Sequence, residues 1–226
     1  MDYVKPYGAV ESMLAGAYFG VATSLVVSVA VETGFWIDGA LLFPFELALA
    51  ILLGMEIVTG RLTLIPCSMI SANDHTERVG ISRVLAHWGW VFLHNLPGSA
   101  LYAVLLAIVL TTGGDAPVSA VGTKLIVIAE AMTTYYAHHG DAGLLTVVNM
   151  FLIPAGMLLG AKISVSHRWL RNQNPVTLGN LVGGMFFTGL AMNYAHGSAP
   201  IVPQQVQNVN HASASLSAKP GGNVCL

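Results

Sequence analysis

The sequence is poor in charge: Asp, Glu, Lys and Arg make up 9% of its 226 residues, where a soluble domain carries about 25%. That scarcity excludes an ordinary water-soluble domain. Only nine residues are Lys or Arg, and the formal net charge is -2, which leaves no basic patch to hold nucleic acid. Cysteine is nearly absent. Cys67 lies in an apolar setting and Cys225 one residue from the end of the sequence, which excludes a disulfide framework and, for Cys225, a prenylation box. There is no G-x-G-x-x-G, P-loop or nucleophile elbow, and no acid, base and nucleophile set can be assembled, so an enzyme is not expected. His87 and His94 share one helix face but have no third ligand at metal spacing, and His138 and His139 sit in a polar segment. Neither a metal nor a cofactor is expected.

What is present is apolar length. Hydrophobic residues make up 54% of the chain, and the mean hydropathy is +0.67. Runs at 13 to 31, 39 to 60, 84 to 112, 141 to 161 and 176 to 195 each approach the ~20 residues a helix needs to cross hydrocarbon. These predict an all-α, multi-pass integral membrane protein with five spans. The start, "MDYVKPYGAV", shows neither a basic n-region nor a cleavage site, so the first span is expected to stay as an anchor. Gly16 and Gly20, and later Gly179 and Gly183, are spaced for close helix contact inside a bundle. Arg78 and Arg83 place the loop after the second span inside, while Asp115, Glu130 and Asp141 against Lys124 place the next one outside. Residues 121 to 140 read as a surface-lying helix, and Pro154 with Gly156 predicts a kink. Residues 1–199 form the membrane domain; the polar, Ser-, Asn-, Gln-, Pro- and Gly-rich tail over 200–226 is expected to be disordered.

The second span is the odd one. Glu46 and Glu56 lie in an apolar run, where a charged side chain costs ~2.5–3.5 kcal/mol on insertion scales and so marks a functional position. Glu56 is followed by Thr59, Gly60 and then Pro66, which predicts an interrupted helix. Irregular backbone at membrane depth survives only where it is buried in protein or lines a water-filled path, so a path beside Thr59 is expected. The plainer reading of Thr59 is a hydroxyl bonded back one turn along its own helix.

With these residues in view, the chain resembles the formate/nitrite transporter family along nearly its whole apolar length. "GMEIVTGRLTLIP", "LHNLPGSAL", "EAMTTYYAHHG", "VNMFLIPAGMLLGAKIS" and "NQNPVTLGNLVGGMFFTG" carry the resemblance, in order. It implies a homopentamer of aquaporin-like protomers in the cell membrane, each a six-helix inverted repeat in which the breaks of the second and fifth helices meet at a pore for small monovalent anions such as formate or nitrite. It implies that Phe43 is an aromatic gate, that Ile57 and Val58 narrow the pore, and that Thr59 faces the anion. Glu56, Gly60, Asn95, Asn149 and Asn180 would support the break, with Glu56 accepting backbone hydrogen bonds.

The departures are specific. The family carries an acid-histidine-serine run just before the "VNM" found here at Val148, Asn149 and Met150, whereas this sequence reads "LLTVVNMFLIP". A segment of about fifty residues, two half-spans and their connection, is missing between the start of helix four and the middle of helix five, leaving five apparent spans instead of six. The central histidine, which protonates or pairs with the anion, goes with it. Met132 stands for a vestibule lysine, Arg61 for an asparagine and Glu46 for a glycine. An odd number of spans would invert the last helix; family orientation instead makes 141 to 161 a hybrid piece beside the pore. Two functions follow: anion transport, with or without proton coupling, or a non-transporting remnant or structural subunit.

Overall fold

A computed structural model describes residues 8–62, 80–139 and 146–196. Helix α1 (Gly8–Thr33) opens the bundle, α2 (Trp36–Leu52) returns beside it, and α3 (Ile81–Leu110) and α4 (Ala120–His139) follow. Helix α5 (Thr146–Leu159) leads to α6, a continuous run of α and π turns over Val165–His167, Arg168–Gln173, Asn174–Val182, Gly183–Gly189 and Leu190–His196. The tail over 200–226 lies outside the described residues, as do Arg78 and Asp141.

Small residues decide how close the helices come. The buried stripe of α1 reads Ser12, Ala15, Gly16, Phe19, Gly20, Thr23, Val27 and Ala30, the three- and four-residue spacing of one helix face. A Cβ at Gly16 would strike the carbonyl of Asn95, and one at Gly98 the carbonyl of Met13. Helices α1 and α3 therefore touch backbone to backbone, a contact that small residues permit between membrane helices. Gly39 of α2 makes the same approach to the Val26 carbonyl, and Gly156 of α5 to Ala129 of α4.

These contacts fix directions. Gly39 meets Val26 and Glu46 meets Tyr18, so α1 and α2 are antiparallel, while Gly16 against Asn95 and Ser24 against Tyr102 make α1 and α3 parallel. Gly20 meets Phe151, and Val27 clusters with Leu159, so α5 also runs with α1. Helix α4 does not lie apart as a surface helix. Leu125 and Ala129 are fully buried, and its face packs antiparallel along α5, because apolar positions at 125, 129 and 132 recur on one face. Its predicted polarity came from the few charges on the opposite side. Helix α6 turns back immediately after α5, with the Lys162 amide donating to Glu130 Oε1 (2.7 Å) and Asn172 Nδ2 to the Met132 carbonyl (3.2 Å). The six helices thus alternate in direction.

Of the described helices, α1 and α3 are long and apolar enough to cross a membrane, whereas α5 is a shorter apolar helix of 14 residues that continues through Pro154. Glu46 is not bare: Tyr18 donates its hydroxyl to Oε2 (2.7 Å). The direction of α6 predicts that a tag appended after it is reached from the same side of the membrane as one placed before α1. Protease accessibility in sealed vesicles reads this, and a tag exposed on the opposite face would contradict it.

Candidate functional site

Helix α2 stops at Leu52, and Gly54, at φ +70°, turns the chain out of helical geometry. The αL conformation is accessible to glycine without strain. After Met55, Glu56 and Ile57 the backbone becomes helical again over 58–62. This break frees backbone groups inside the bundle, and Asn95 of α3 collects them. Its Oδ1 accepts from the Val58 amide (3.0 Å), and its Nδ2 donates to the carbonyls of Ser12 (2.7 Å) and Glu56 (2.9 Å). Asn95 is fully buried. One carboxamide thus ties α1, α3 and the break together, and Ser99, one turn on, adds a bond to the Gly16 carbonyl (3.1 Å).

Glu56 is 3% exposed. It does not hold backbone amides as the sequence led one to expect. Its Oε1 accepts from Arg61 Nη2 (2.6 Å), and its Oε2 faces His87 Nε2 at 3.9 Å, beyond hydrogen-bond range. The reason is proximity along the chain: the resumed helix brings Arg61 back over Glu56, and a guanidinium outcompetes neutral donors for a buried carboxylate. Trp88 Nε1 donates to the Arg61 carbonyl (3.0 Å) and closes the far side of the break. The charge of Arg61 is therefore offset locally, so it projects little positive field.

The break meets the start of α5 through α6. Thr59 Oγ1 donates to Asn180 Oδ1 (3.5 Å), which also accepts from the Thr146 amide (3.0 Å). Thr146 Oγ1 donates to Thr177 Oγ1 (3.3 Å), and Gln173 Nε2 donates to the Thr146 carbonyl (3.3 Å). Two helix starts, one after the α2 break and one at α5, converge on a neutral hydroxyl and amide cluster. The sequence reading did not single out Thr146; its signal was a lone hydroxyl ahead of the run "VVNMFLIP".

The remaining candidates fall around this cluster. Ile57 and Val58 are buried with Val147, Val148 and Met150 in one apolar cluster, against which Phe43 packs partly buried. The Phe43 ring lies 6.3 Å from that of Phe19. A Cβ at Gly60 would meet nothing within 4 Å, so that side of the break is roomy. Asn149 is fully buried but makes no hydrogen bond among the described residues, and so does not brace the break. His87, a face-sharing partner of His94 in sequence, turns to Glu56, while His94 is half-buried and bonds the Trp90 carbonyl through Nδ1 (2.7 Å).

The sequence profile described as formate/nitrite transporter matches residues 7–140 and 146–194. The chain belongs to the formate/nitrite transporter family. It is therefore an integral membrane transporter and not an enzyme. A relative named "Probable formate transporter" from Methanothermobacter thermautotrophicus is 28% identical, covering 83% of this chain and 88% of that protein. "Uncharacterized transporter YrhG" from Bacillus subtilis is 24% identical over 67% of this chain and 68% of its own length. The "Formate-nitrite transporter" of Entamoeba histolytica is 26% identical over 53% of this chain and 31% of that protein. The archaeal alignment runs over 249 positions while taking in 83% of a 226-residue chain, so that transporter has about 60 positions with no counterpart here. The profile match itself is interrupted at 141–145, between α4 and α5.

Two expectations follow from the geometry. Asn95→Leu keeps the volume but orphans the Val58 amide and the Ser12 and Glu56 carbonyls; at about 1–3 kcal/mol for a buried polar group left unpaired, unfolding in detergent is expected to be easier by at least about 2 kcal/mol, read as a lowered melting temperature. Glu56→Gln weakens the only described partner of Arg61's Nη2, and it is expected to be rescued in part by pairing it with Arg61→Asn, since the double variant buries no lone charge. A double-mutant cycle on melting temperature measures that coupling.

Proposed function

We propose that this chain moves small monovalent anions of the formate and nitrite class across the cell membrane, through a path beside Thr59. The observation that carries this reading is the convergence of the α2 break and the start of α5 on Asn180, in a chain of this transporter family. Freed backbone at such a break is tolerated in a membrane where it lines a path. Ile57 and Val58 supply the apolar constriction, Phe43 the gate, and Thr59 the hydroxyl that, on giving up its 3.5 Å bond to Asn180 Oδ1, donates to the anion in place of a water. The roomy flank at Gly60 supports this assignment. The working unit in this reading is a homopentamer of aquaporin-like, multi-pass protomers.

Neither Thr59, Thr146 nor Asn180 titrates near neutral pH, so the cluster cannot hand a proton to the anion. Flux down the anion's gradient, uncoupled from protons, is the form of transport these residues support. A second reading has a specific observation behind it. The family resemblance places the central histidine in a segment that this sequence lacks, and Ile57, Val58, Val147 and Val148 close on one another in a buried cluster. On that reading the chain is a non-transporting membrane subunit.

Formate and nitrite uptake into liposomes holding the purified chain separates the two. Transport predicts flux well above empty liposomes, lowered at least about tenfold by Thr59→Val, which keeps the shape and removes the hydroxyl. Flux indistinguishable from empty liposomes supports the subunit reading.

A further inference from the structure

Buried donors and acceptors that lack partners are rare in folded proteins, and each asks for an explanation. Among the described residues three such atoms, Ser12 Oγ, Glu56 Oε2 and His87 Nε2, lie around the α2 break, and the other six lie on α6 and its neighbour α5. Arg168 Nε and Nη2, Asn172 Oδ1, Gln173 Oε1 and both amide atoms of Asn149 are buried without a hydrogen bond among the described residues. The π turn over Arg168–Gln173 widens the helix, and its i to i+5 bonding stacks residues four and five apart on one side. Arg168 therefore stands over Asn172 and Gln173. Gln173 leads by its carbonyl to Thr177 (2.7 Å), and Thr177 by one further turn to Asn180 and Thr59. The result is a polar stripe along α6, from near its first turn to the break in α2.

Arg168 is the charged end of that stripe. No carboxylate among the described residues pairs with it; Trp169 lies beneath its guanidinium carbon at 5.3 Å, and Phe92 of α3 lies 6.4 Å from the Trp169 ring. A buried guanidinium without a counter-ion is costly, and in proteins the cost is met by pairing it. The two orphaned nitrogens are also a particular pair. Nε–H and Nη2–H point the same way from the planar guanidinium and form its side-on fork, whose two parallel donors match the two oxygens of a planar anion. The orphaned atoms of Asn172 and Gln173 are acceptors, which suit accompanying water and not the anion itself.

We propose that the side-on edge of Arg168 is a binding site for a two-oxygen planar anion, a small carboxylate or nitrite, at the outer end of the α6 stripe. This rests on the transport reading for its biological sense but not for its test. The site supplies a fixed positive charge on α6, about one turn from its start at Val165. Its geometry prefers formate over chloride, because a single atom cannot fill both arms of the fork.

Binding is read directly from Trp169, which stacks on the guanidinium. The full chain in lipid nanodiscs is titrated with sodium formate, with sodium chloride as the ionic-strength control, and Trp169→Phe identifies the responding signal. The expected result is a saturable fluorescence change with formate, weaker with chloride, and absent in Trp169→Phe. Arg168→Gln is expected to lower the apparent affinity at least about tenfold, and Arg168→Lys nearly as much, because an ammonium keeps the charge and loses the fork. If Arg168→Gln does not elute as a folded species, Arg168→Lys carries the same comparison. Formate titrations of the variants that superimpose on the wild type overturn the proposal, as does a wild-type chain with no saturable change. A chain that binds formate through Arg168 yet passes none across liposomes overturns the transport reading alone.

Discussion

The structure depends on a carboxamide. Among the described residues Asn95, on α3, is the side chain that joins α1 to the α2 break, and its Oδ1 and both Nδ2 hydrogens are matched. Its reach is short, so the arrangement works only because α1 and α3 approach to backbone contact through Gly16 and Gly98. The order of causes is then plain. Small residues bring two helices close, closeness lets an asparagine bridge them, and the bridge satisfies a break that lipid could not satisfy. A bundle held this way is rigid where the path would run and apolar where it meets lipid, as the many exposed Leu, Ile, Val and Phe side chains on α2, α3 and α6 show.

Charge is handled by the same economy. Glu56 and Arg61 are five residues apart and neutralise each other beside the break, while Tyr18 takes the carboxylate of Glu46. A transport protein for anions has reason to do this, since a bare carboxylate near the path would repel its cargo across several ångströms at low dielectric. The departures that looked disruptive in the sequence, a glutamate on α2 and an arginine after the Thr-Gly pair, are each matched by a neighbour. Arg168 differs in that, among the described residues, it meets the Trp169 ring and no carboxylate.

Much of the bundle was legible from composition and period. Helical runs, the existence of a break in the second helix and the buried face of α1 follow from apolar spacing and glycine placement; the place of the break does not, since the chain leaves the helix at Gly54 while Thr59 and Gly60, where the sequence put the interruption, lie in the resumed helix. Helix α4 was misread as surface-lying because its charges, Lys124 and Glu130, are local and visible, whereas its buried face is defined only by α5, which the sequence separates from it by an interrupted segment. The role of Glu56 was misjudged for a related reason: its partner Arg61 lies on the far side of the break, and whether the two meet depends on the angle at which the helix resumes. Thr146 and Arg168 carried almost no local signal. A threonine ahead of an apolar run and an arginine beside a tryptophan are common, and only the fold shows which polar atoms lack partners.

On the transport reading, what matters is where positive charge sits. A histidine on α5 would place a titratable charge at the centre of the path, where an anion meets the full desolvation penalty. Arg168 places a permanent charge on α6 instead, nearer the end of the bundle, with neutral hydroxyls and amides between it and Thr59. A permanent guanidinium deep in an apolar constriction would hold its anion too tightly to conduct, because conduction needs binding favourable enough to enter and weak enough to leave. On the proposed reading the same group, followed by uncharged donors, would draw the anion in and leave Ile57 and Val58 to be passed with water at its side. Its position along α6, more than its sign, would then let a chain without the central histidine pass an anion.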